Sequence, residues 1–317
     1  MKQRLSRRQF IEKASVLSAS AFVGLSILPR YLYGKSLVEI NDISIVKGTD
    51  YYSNTLKAIE LIGGIEHIVK SGSHVGLLIN SGFDKEGAYV NPDIALAVLK
   101  LCFDAGAGRV SSLQYIDDSY WQRSNIAEKY KKELNQLEII NANNPPATFD
   151  EKNWVVHEIP NAVSLKNPEI IRELFEVDVF ISIPISKHHG LTFLTCGLKN
   201  MMGVCTRKTN VGFHLDSGVR NDPEYLAQCI ADINLARKPD LIVVDATKFI
   251  VNNGPSGPGD VVQLNKILAG KDIVALDTIC TPYINHDPDD IISTKKAEEL
   301  KLGTMDLNSL KIKEISV

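Results

Sequence analysis

The fold is decided by residues 74–113, which read HVGLLINSGFDKEGAYVNPDIALAVLKLCFDAGAGRVSSL. Residues 74–79 form a continuous apolar run, as expected for a strand that is buried on both faces. The Asn91-Pro92 pair is suited to start a helix, and apolar residues then recur at helical spacing up to Cys102. A glycine ends this helix, and a second apolar strand begins at Arg109. This order predicts two parallel strands joined by a covering helix.

Strand-like and helix-like segments alternate along the rest of the chain. Further strands are predicted at 43–46, 154–159, 177–183 and 241–244, further helices at 53–70, 168–175 and 223–236, and the pattern is completed by segments 261–268, 273–277 and 312–317. This alternation predicts an α/β fold of mostly parallel sheets covered by helices, with two closely associated lobes and a cleft between them. The suggested lobes are residues 35–183 and 184–317. Ligands of such folds bind beyond the carboxyl ends of the strands.

The charge of the chain is divided between two unlike segments. The 317 residues carry a net charge of −3, but residues 1–34 hold six lysines or arginines and one acid, a net of +5, which leaves about −8 for the remainder. An acidic body argues against nucleic-acid binding, which needs a basic face.

Residues 1–34 have the organisation of an export signal. The pair Arg7-Arg8 precedes an apolar run from Ala14 to Leu28, which is shorter than the twenty or so residues of a membrane span. It resembles a twin-arginine signal, so the expected partner is the twin-arginine translocation machinery. The expected location is the periplasm, or the membrane surface if the signal stays attached. Proteins exported in this way are already folded, and many carry a cofactor.

The five cysteines show no C-x-x-C spacing, so the sequence predicts no iron–sulfur cluster and no zinc ribbon. Cys196 and Cys205 are left with two alternatives. They form a disulfide outside the cytoplasm, or neither has a role.

Residues 184–214 concentrate the residues that are suited to catalysis. This segment holds three of the seven histidines and four basic side chains, directly after a predicted buried strand. Lysine binds anions, and histidine transfers protons or binds metals. The alternative is an exposed basic loop. The sequence favours a pocket for a small anionic ligand, with Lys187, Lys199 and Asn200 as binding residues.

A second feature is the loop NNGPSGPGD at residues 252–260. Glycines let backbone N–H groups approach a phosphate or carboxylate, so Gly254 and Gly257 are predicted to bind a cofactor or ligand. The alternative is a plain turn, because the loop lacks the lysine and hydroxyl residue of a P-loop.

Taken together, these residues resemble the family called domain of unknown function 362. The resemblance rests on an ordered set of short motifs: Asn91-Pro92, Ile183-Pro184 with Lys187 and His189, Gly197-Leu198-Lys199-Asn200 with Gly203, His214, Asp245-Ala246, Asn253-Gly254-Pro255 with Gly257, and residues 269–277. It covers residues 40–310 and implies an α/β fold. Many members also carry a ferredoxin module, whose cysteines this chain lacks.

The spacing of His189, Lys199 and His214 is also similar to that in nickel-pincer lactate racemases. By that resemblance Lys199 anchors an organic nickel cofactor, His214 and His189 are metal ligands, and all three residues are catalytic. The sequence therefore predicts an exported enzyme, racemase-like or an oxidoreductase, that acts on a small anion. The alternative is a non-catalytic ligand-binding or accessory protein, and an iron–sulfur electron carrier is the weakest hypothesis.

Overall fold

The computed structural model describes residues 40–140 and 150–317 of the chain. The strands are β1 (Ile43–Lys47), β2 (His74–Ile79), β3 (Arg109–Ser112), β4 (Leu137–Ile139), β5 (Trp154–Val156), β6 (Glu169–Ile171), β7 (Val179–Ile183), β8 (Lys187–His189), β9 (Phe193–Thr195), β10 (Leu241–Ile250), β11 (Val261–Gly270) and β12 (Ile312–Ser316). The signal segment predicted at residues 1–34 lies outside the described residues.

Ten α-helices, several of them a single turn, connect these strands in the described part of the chain. They are α1 (Tyr51–Leu61), α2 (Pro92–Asp104), α3 (Asp118–Trp121), α4 (Lys131–Gln136), α5 (Glu173–Glu176), α6 (Gly197–Asn200), α7 (Arg207–Leu215), α8 (Pro223–Ile233), α9 (Ile273–Cys280) and α10 (Ile292–Glu299). None of the helices in residues 40–140 and 150–317 has the length and apolar character needed to cross a bilayer.

Eight strands form one sheet in the order β12-β1-β11-β10-β7-β2-β3-β4. All neighbours from β10 to β4 are parallel, as are β1 and β12, while β11 runs antiparallel to both β1 and β10. Strands from both sides of position 184 lie in this sheet, and residues 40–317 form one compact unit. The α/β class with a mostly parallel, helix-covered sheet is confirmed. The lobe boundary at 183–184 stays a prediction.

The helix that decides the β-α-β unit forms as its sequence predicts. The Asn91 side chain accepts the Asp93 N–H, and Pro92 occupies the first turn, where its missing N–H costs nothing. The apolar residues from Ile94 to Leu99, and Cys102, are fully buried, and Leu101 is partly buried. At about 25 cal/mol for each Å² of apolar surface, such burial is the main force that holds α2 in place.

One sequence prediction is wrong in this region of the fold. Residues 168–175 are not one helix. They form strand β6, which pairs with β5, followed by the short helix α5. Ile170 and Ile171 are consecutive apolar residues, which fit a helix and a strand equally well. Their pairing with Val155 and Trp154 of β5 selects the strand. Segment 184–222, which has little pattern in the sequence, is ordered and contains β8, β9, α6 and α7.

Candidate functional site

The predicted site lies where three neighbouring strands end. Strands β10, β7 and β2 are adjacent and parallel, so their carboxyl ends meet at one edge of the sheet. Asn80 follows β2 directly. Beyond β7 the chain continues beside β10, where the Ser186 N–H donates to the Asp245 carbonyl at 2.9 Å. This extension delivers Lys187 to the same edge, which is the expected place for a ligand.

A cavity of about 260 Å³ opens at this edge. Its walls include Asn80, Lys187, Thr195, Lys199, Asn200 and Pro255. The described residues that line it include two lysines and no aspartate or glutamate. The volume is slightly below the range of drug-sized pockets, so the cavity suits a small metabolite, and its charge suits an anion.

Lys187 lies in the cavity wall and is fully buried. Its ammonium donates to the Ala88 carbonyl and lies 4.0 Å from the centre of the Phe83 ring. Neither neighbour carries a negative charge. Burial, helped by the charge of Lys199, lowers the pKa of Lys187 to about 7.

Lys199 reaches the cavity from helix α6. It is half-buried, and it has no hydrogen bond or ion pair within residues 40–140 and 150–317. Burial lowers the pKa of its amine to about 8. An amine in this state is ready to bind an anion and also to gain or lose a proton near neutral pH.

The buried carboxyl of Asp277 fixes the helix that carries Lys199. Its Oδ1 accepts the Gly197 N–H at 2.7 Å, and its Oδ2 accepts the Leu198 N–H at 3.2 Å. The two otherwise unpaired donors at the start of α6 are thereby satisfied. Burial raises the pKa of Asp277 to about 7. Asp277 lies on helix α9 and caps the start of a helix 80 residues earlier in the chain.

Asn200 lies on the next position of α6 and is buried. Its amide nitrogen donates to the Leu78 carbonyl at 3.1 Å and to the Ser182 hydroxyl at 2.9 Å. Its oxygen is 3.4 Å from the amide nitrogen of Asn80. Asn200 therefore joins α6 to strands β2 and β7 and holds the floor of the cavity in place.

Thr195 is a cavity residue that the sequence analysis missed. Its side chain is 4% exposed, and its hydroxyl oxygen has no hydrogen-bond partner among the described residues. A buried hydroxyl without a partner costs about 1–3 kcal/mol, unless a ligand or water completes it. Its position at the end of a three-residue strand gives no signal in the sequence.

His189 lies beside the cavity rather than in its lining, as far as the described residues show. Its Nδ1 accepts the N–H groups of Leu191 and Thr192 at 3.1 and 3.3 Å. Burial first, and then the charges of Lys199 and other neighbours, lower the pKa of His189 to about 2. The ring is therefore neutral, with its proton on Nε2.

His214 comes from helix α7 and is close enough for its charge to act on His189. Its Nδ1 is 3.1 Å from Oδ1 of Asn221, an acceptor, so Nδ1 carries the proton. Nε2 has no hydrogen-bond partner among the described residues, so it is the ring nitrogen that is available to a ligand. His214 does not contribute to the cavity lining in the described part of the chain.

Two N–H groups of the glycine loop are engaged within the chain. The Gly254 N–H donates to Nδ1 of His188 at 3.1 Å, and the Gly257 N–H donates to the Asn253 carbonyl at 3.2 Å. The ligand contacts of Gly254 and Gly257 stay predictions. The contribution of the loop to the cavity is Pro255.

The comparisons with known proteins agree with the sequence motifs. Residues 75–282, well over half of the chain, match the family described as a domain of unknown function, DUF362. The chain belongs to the DUF362 family. All the cavity residues named above lie within the matched segment.

This DUF362 protein is similar to one known protein in sequence and to two solved structures. The thylakoid-associated protein sll1697 of Synechocystis sp. is 25% identical over 276 residues, which cover 83% of this chain and 81% of the relative. The lactate racemase apoprotein from Thermoanaerobacterium thermosaccharolyticum has a TM-score of 0.46 at 12% identity, with 75% of this chain and 56% of that chain covered. A crystal structure of a protein from Thermotoga maritima has a TM-score of 0.43 at 13% identity, with 75% of this chain and 60% of that chain covered. The DUF362 chain therefore spans little more than half the length of the two solved structures.

The predicted nickel-type site does not fit the side chains of the DUF362 protein well. A histidine that binds a metal normally donates its second ring N–H to a neighbour, whereas Nδ1 of His189 accepts two N–H groups. Within residues 40–140 and 150–317 no three His, Cys, Asp or Glu side chains are grouped as metal ligands. The metal roles of His189 and His214 stay predictions that this geometry disfavours.

The cysteines of the DUF362 protein are all free and buried in the structure, so the Cys196–Cys205 disulfide is not formed. Cys196 instead contacts the thiol of Cys280 and the carboxyl of Asp277.

A second, larger cavity of about 700 Å³ lies near residues 116–139. It is lined by acidic, basic and apolar side chains together, and it holds none of the predicted site residues. The smaller cavity is the better candidate because it alone of the two combines a single sign of charge with an unpaired hydroxyl and an unpaired amine.

Proposed function

We propose that this DUF362 protein is an enzyme that binds a small organic anion in the cavity between Lys187 and Lys199 and moves a proton on it. One observation carries the proposal. Lys199 is an unpaired cation in a cavity whose described lining has no carboxylate. A carboxylate or phosphate would supply the missing counter-charge, and a charge-assisted hydrogen bond of this kind contributes about 1.5–3 kcal/mol.

The lowered pKa values support catalysis over simple binding. Burial lowers the pKa of Lys187 to about 7 and that of Lys199 to about 8. Groups that titrate near neutral pH are suited to proton transfer. His214, which is close enough to act electrostatically on His189, is a further candidate for proton transfer.

Export by the twin-arginine machinery to the periplasm is part of the same proposal. It is supported by the order of the Arg7-Arg8 pair and the apolar run that follows. The Synechocystis relative is a thylakoid-associated protein by name. Attachment to a membrane through an uncleaved signal remains the alternative.

The proposed anion site is tested by replacing Thr195 with valine, which keeps the shape of the side chain and removes its hydroxyl. We expect Thr195→Val to weaken the binding of small 2-hydroxy and 2-oxo acids roughly tenfold, because one hydrogen bond to a charged ligand is lost. Isothermal titration calorimetry measures the affinity. NMR in D₂O detects deuterium entering the C–H groups of the bound acid.

The matched control is Thr294→Val. Thr294 also carries a buried hydroxyl without a partner among the described residues, but it lies on α10 and is not part of the cavity. It should leave the affinity unchanged. Binding of none of the acids at millimolar concentration would contradict the anion site, and binding without deuterium exchange or turnover would contradict the enzyme.

A further inference from the structure

We infer that the amine of Lys199 condenses with the carbonyl group of a small oxo acid to form an imine in the cavity. The inference rests on the proposed function and narrows its substrate class to acids that carry an aldehyde or ketone. It assigns Lys199 the role of nucleophile in addition to that of anion contact.

The first argument is the freedom of the Lys199 amine. Most buried lysines have a carboxylate or carbonyl partner that keeps them protonated. Lys187 has the Ala88 carbonyl, but Lys199 has no such contact in the described part of the chain. Lys199 is one of the residues that line the cavity. No bond within the described chain must break before this nitrogen can attack a ligand.

The second argument is the rigidity of the element that presents the amine. Two backbone N–H groups of α6 are bound to Asp277, and the neighbouring Asn200 is bound to β2 and β7. A nucleophile on a helix that is fixed at both ends keeps its position relative to the ligand. This positioning raises the rate of its reaction with a bound carbonyl group.

The third argument is the charge of the surroundings. Burial lowers the pKa of Lys199 to about 8, and the positive charge of Lys199 acts on Lys187 across the cavity. Desolvation is one of the effects that bring a lysine amine towards neutrality near physiological pH. At a pH close to 8 part of the Lys199 amine is neutral and able to attack a carbonyl carbon, while the protonated part attracts an anion.

The reaction balances without a further reactant. The free amine of Lys199 attacks the carbonyl carbon, a C–N bond forms, and the carbonyl oxygen takes up a proton. The C–O bond of this carbinolamine then breaks, water leaves, and a protonated imine remains. The net change is an ammonium and a ketone converted to an iminium and water. An iminium draws electrons from the adjacent carbon, so it promotes the proton transfer proposed above.

The remaining groups of the cavity suit the rest of an oxo acid. Lys187 lies in the cavity wall, where a bound carboxylate would favour its protonated form. The Thr195 hydroxyl, which has no partner among the described residues, and the amide of Asn80 are available to the oxygen atoms of the ligand. The cavity therefore suits the carboxylate and the carbonyl of one small molecule together.

The inference is tested by chemical trapping in the full protein. The protein is incubated with pyruvate and cyanoborohydride, which reduces an imine to a stable amine, and the product is mapped by peptide mass spectrometry. We expect one reduced pyruvate on the peptide that contains Lys199, at least tenfold above the level on the exposed Lys271. An equal level on the two lysines, or an adduct on Lys187 instead, would overturn the inference.

A second variant separates this inference from the proposed function. Lys199→Arg forms no imine under these conditions, so it should lose the adduct. Lactate has no carbonyl group to condense, so its binding to the native protein reports on the anion site alone. Lys271→Arg should keep both the pyruvate adduct and the binding of lactate. If the native protein binds lactate but traps no pyruvate at Lys199, the imine is wrong and the anion site stands. If the native protein binds neither lactate nor pyruvate, both the imine and the anion site are wrong.

Discussion

Replacing Gly254 with alanine should lower the free energy of unfolding by about 3 kcal/mol and reduce ligand binding in the protein that still folds. A Cβ atom at this position would lie 1.8 Å from the His188 carbonyl oxygen and 2.5 Å from its carbon. Both atoms belong to the backbone, so the clash cannot be relieved by rotating a side chain. The Gly254 N–H and carbonyl also bind His188 and Gly190, so moving the loop would break these contacts.

Gly190→Ala is the matched control for this effect. Gly190 lies at the other side of the same contact, but its Cβ would meet its nearest atom at 3.5 Å, an ordinary van der Waals distance. Denaturant unfolding measures both variants. Equal stabilities for Gly254→Ala and Gly190→Ala would show that the loop does not pack on strand β8 as described.

Replacing Asp277 with alanine should lower the free energy of unfolding by about 3 kcal/mol at pH 5, because two buried N–H groups of α6 lose their acceptors at about 1–3 kcal/mol each. The loss should depend on pH. Burial raises the pKa of Asp277 to about 7 from its ordinary value near 3.8, so the folded protein holds this proton more tightly than the unfolded chain.

The sign of the pH dependence follows from that difference. Between about pH 4 and pH 7, unfolding releases the proton of Asp277, so its contribution to stability is largest at low pH and decreases as the pH rises to 7. The free energy of unfolding changes through this one proton by at most about 1.4 kcal/mol for each pH unit. The gap between the native protein and Asp277→Ala should therefore narrow by about 2 kcal/mol from pH 5 to pH 7.

Asp222→Ala provides the control for the Asp277 variant. Asp222 also accepts two backbone N–H groups at the start of a helix, those of Glu224 and Tyr225, but it is only partly buried. Its loss should cost about 1 kcal/mol, the usual value for a helix cap. Thermal and denaturant unfolding between pH 5 and pH 7 measure the difference in stability between each variant and the native protein. A difference for Asp277→Ala that widens as the pH rises would contradict the raised pKa of Asp277.

The central part of the fold is predictable because its signals are local. The apolar run of β2, the Asn91-Pro92 start of α2 and the apolar strand β3 each depend on a few consecutive residues. The antiparallel position of β11 is not predictable, since it depends on pairing with β1 and β10, which lie far apart in the chain. Strand β6 was predicted as a helix for the same reason, because its partner β5 decides its conformation.

The site is predictable in its lysines and not in its finer contacts. Lys187, Lys199 and Asn200 follow a buried strand, and position in an α/β sheet brings such residues to one edge. The partner of the Gly254 N–H is set by tertiary packing, and this donor of the glycine-rich loop holds β8. Thr195 carries no local signal, and its importance follows only from its unpaired hydroxyl in the cavity.

The most direct test of the anion site is a calorimetric titration of lactate and pyruvate into the native protein, Lys199→Met and Lys271→Met. Methionine keeps most of the length of the side chain and removes the charge. If the cavity between Lys187 and Lys199 binds the anion, Lys199→Met should lose roughly ten- to hundredfold in affinity, the value of one charge-assisted hydrogen bond, while Lys271→Met binds as the native protein does. Unchanged affinity in Lys199→Met would contradict the site.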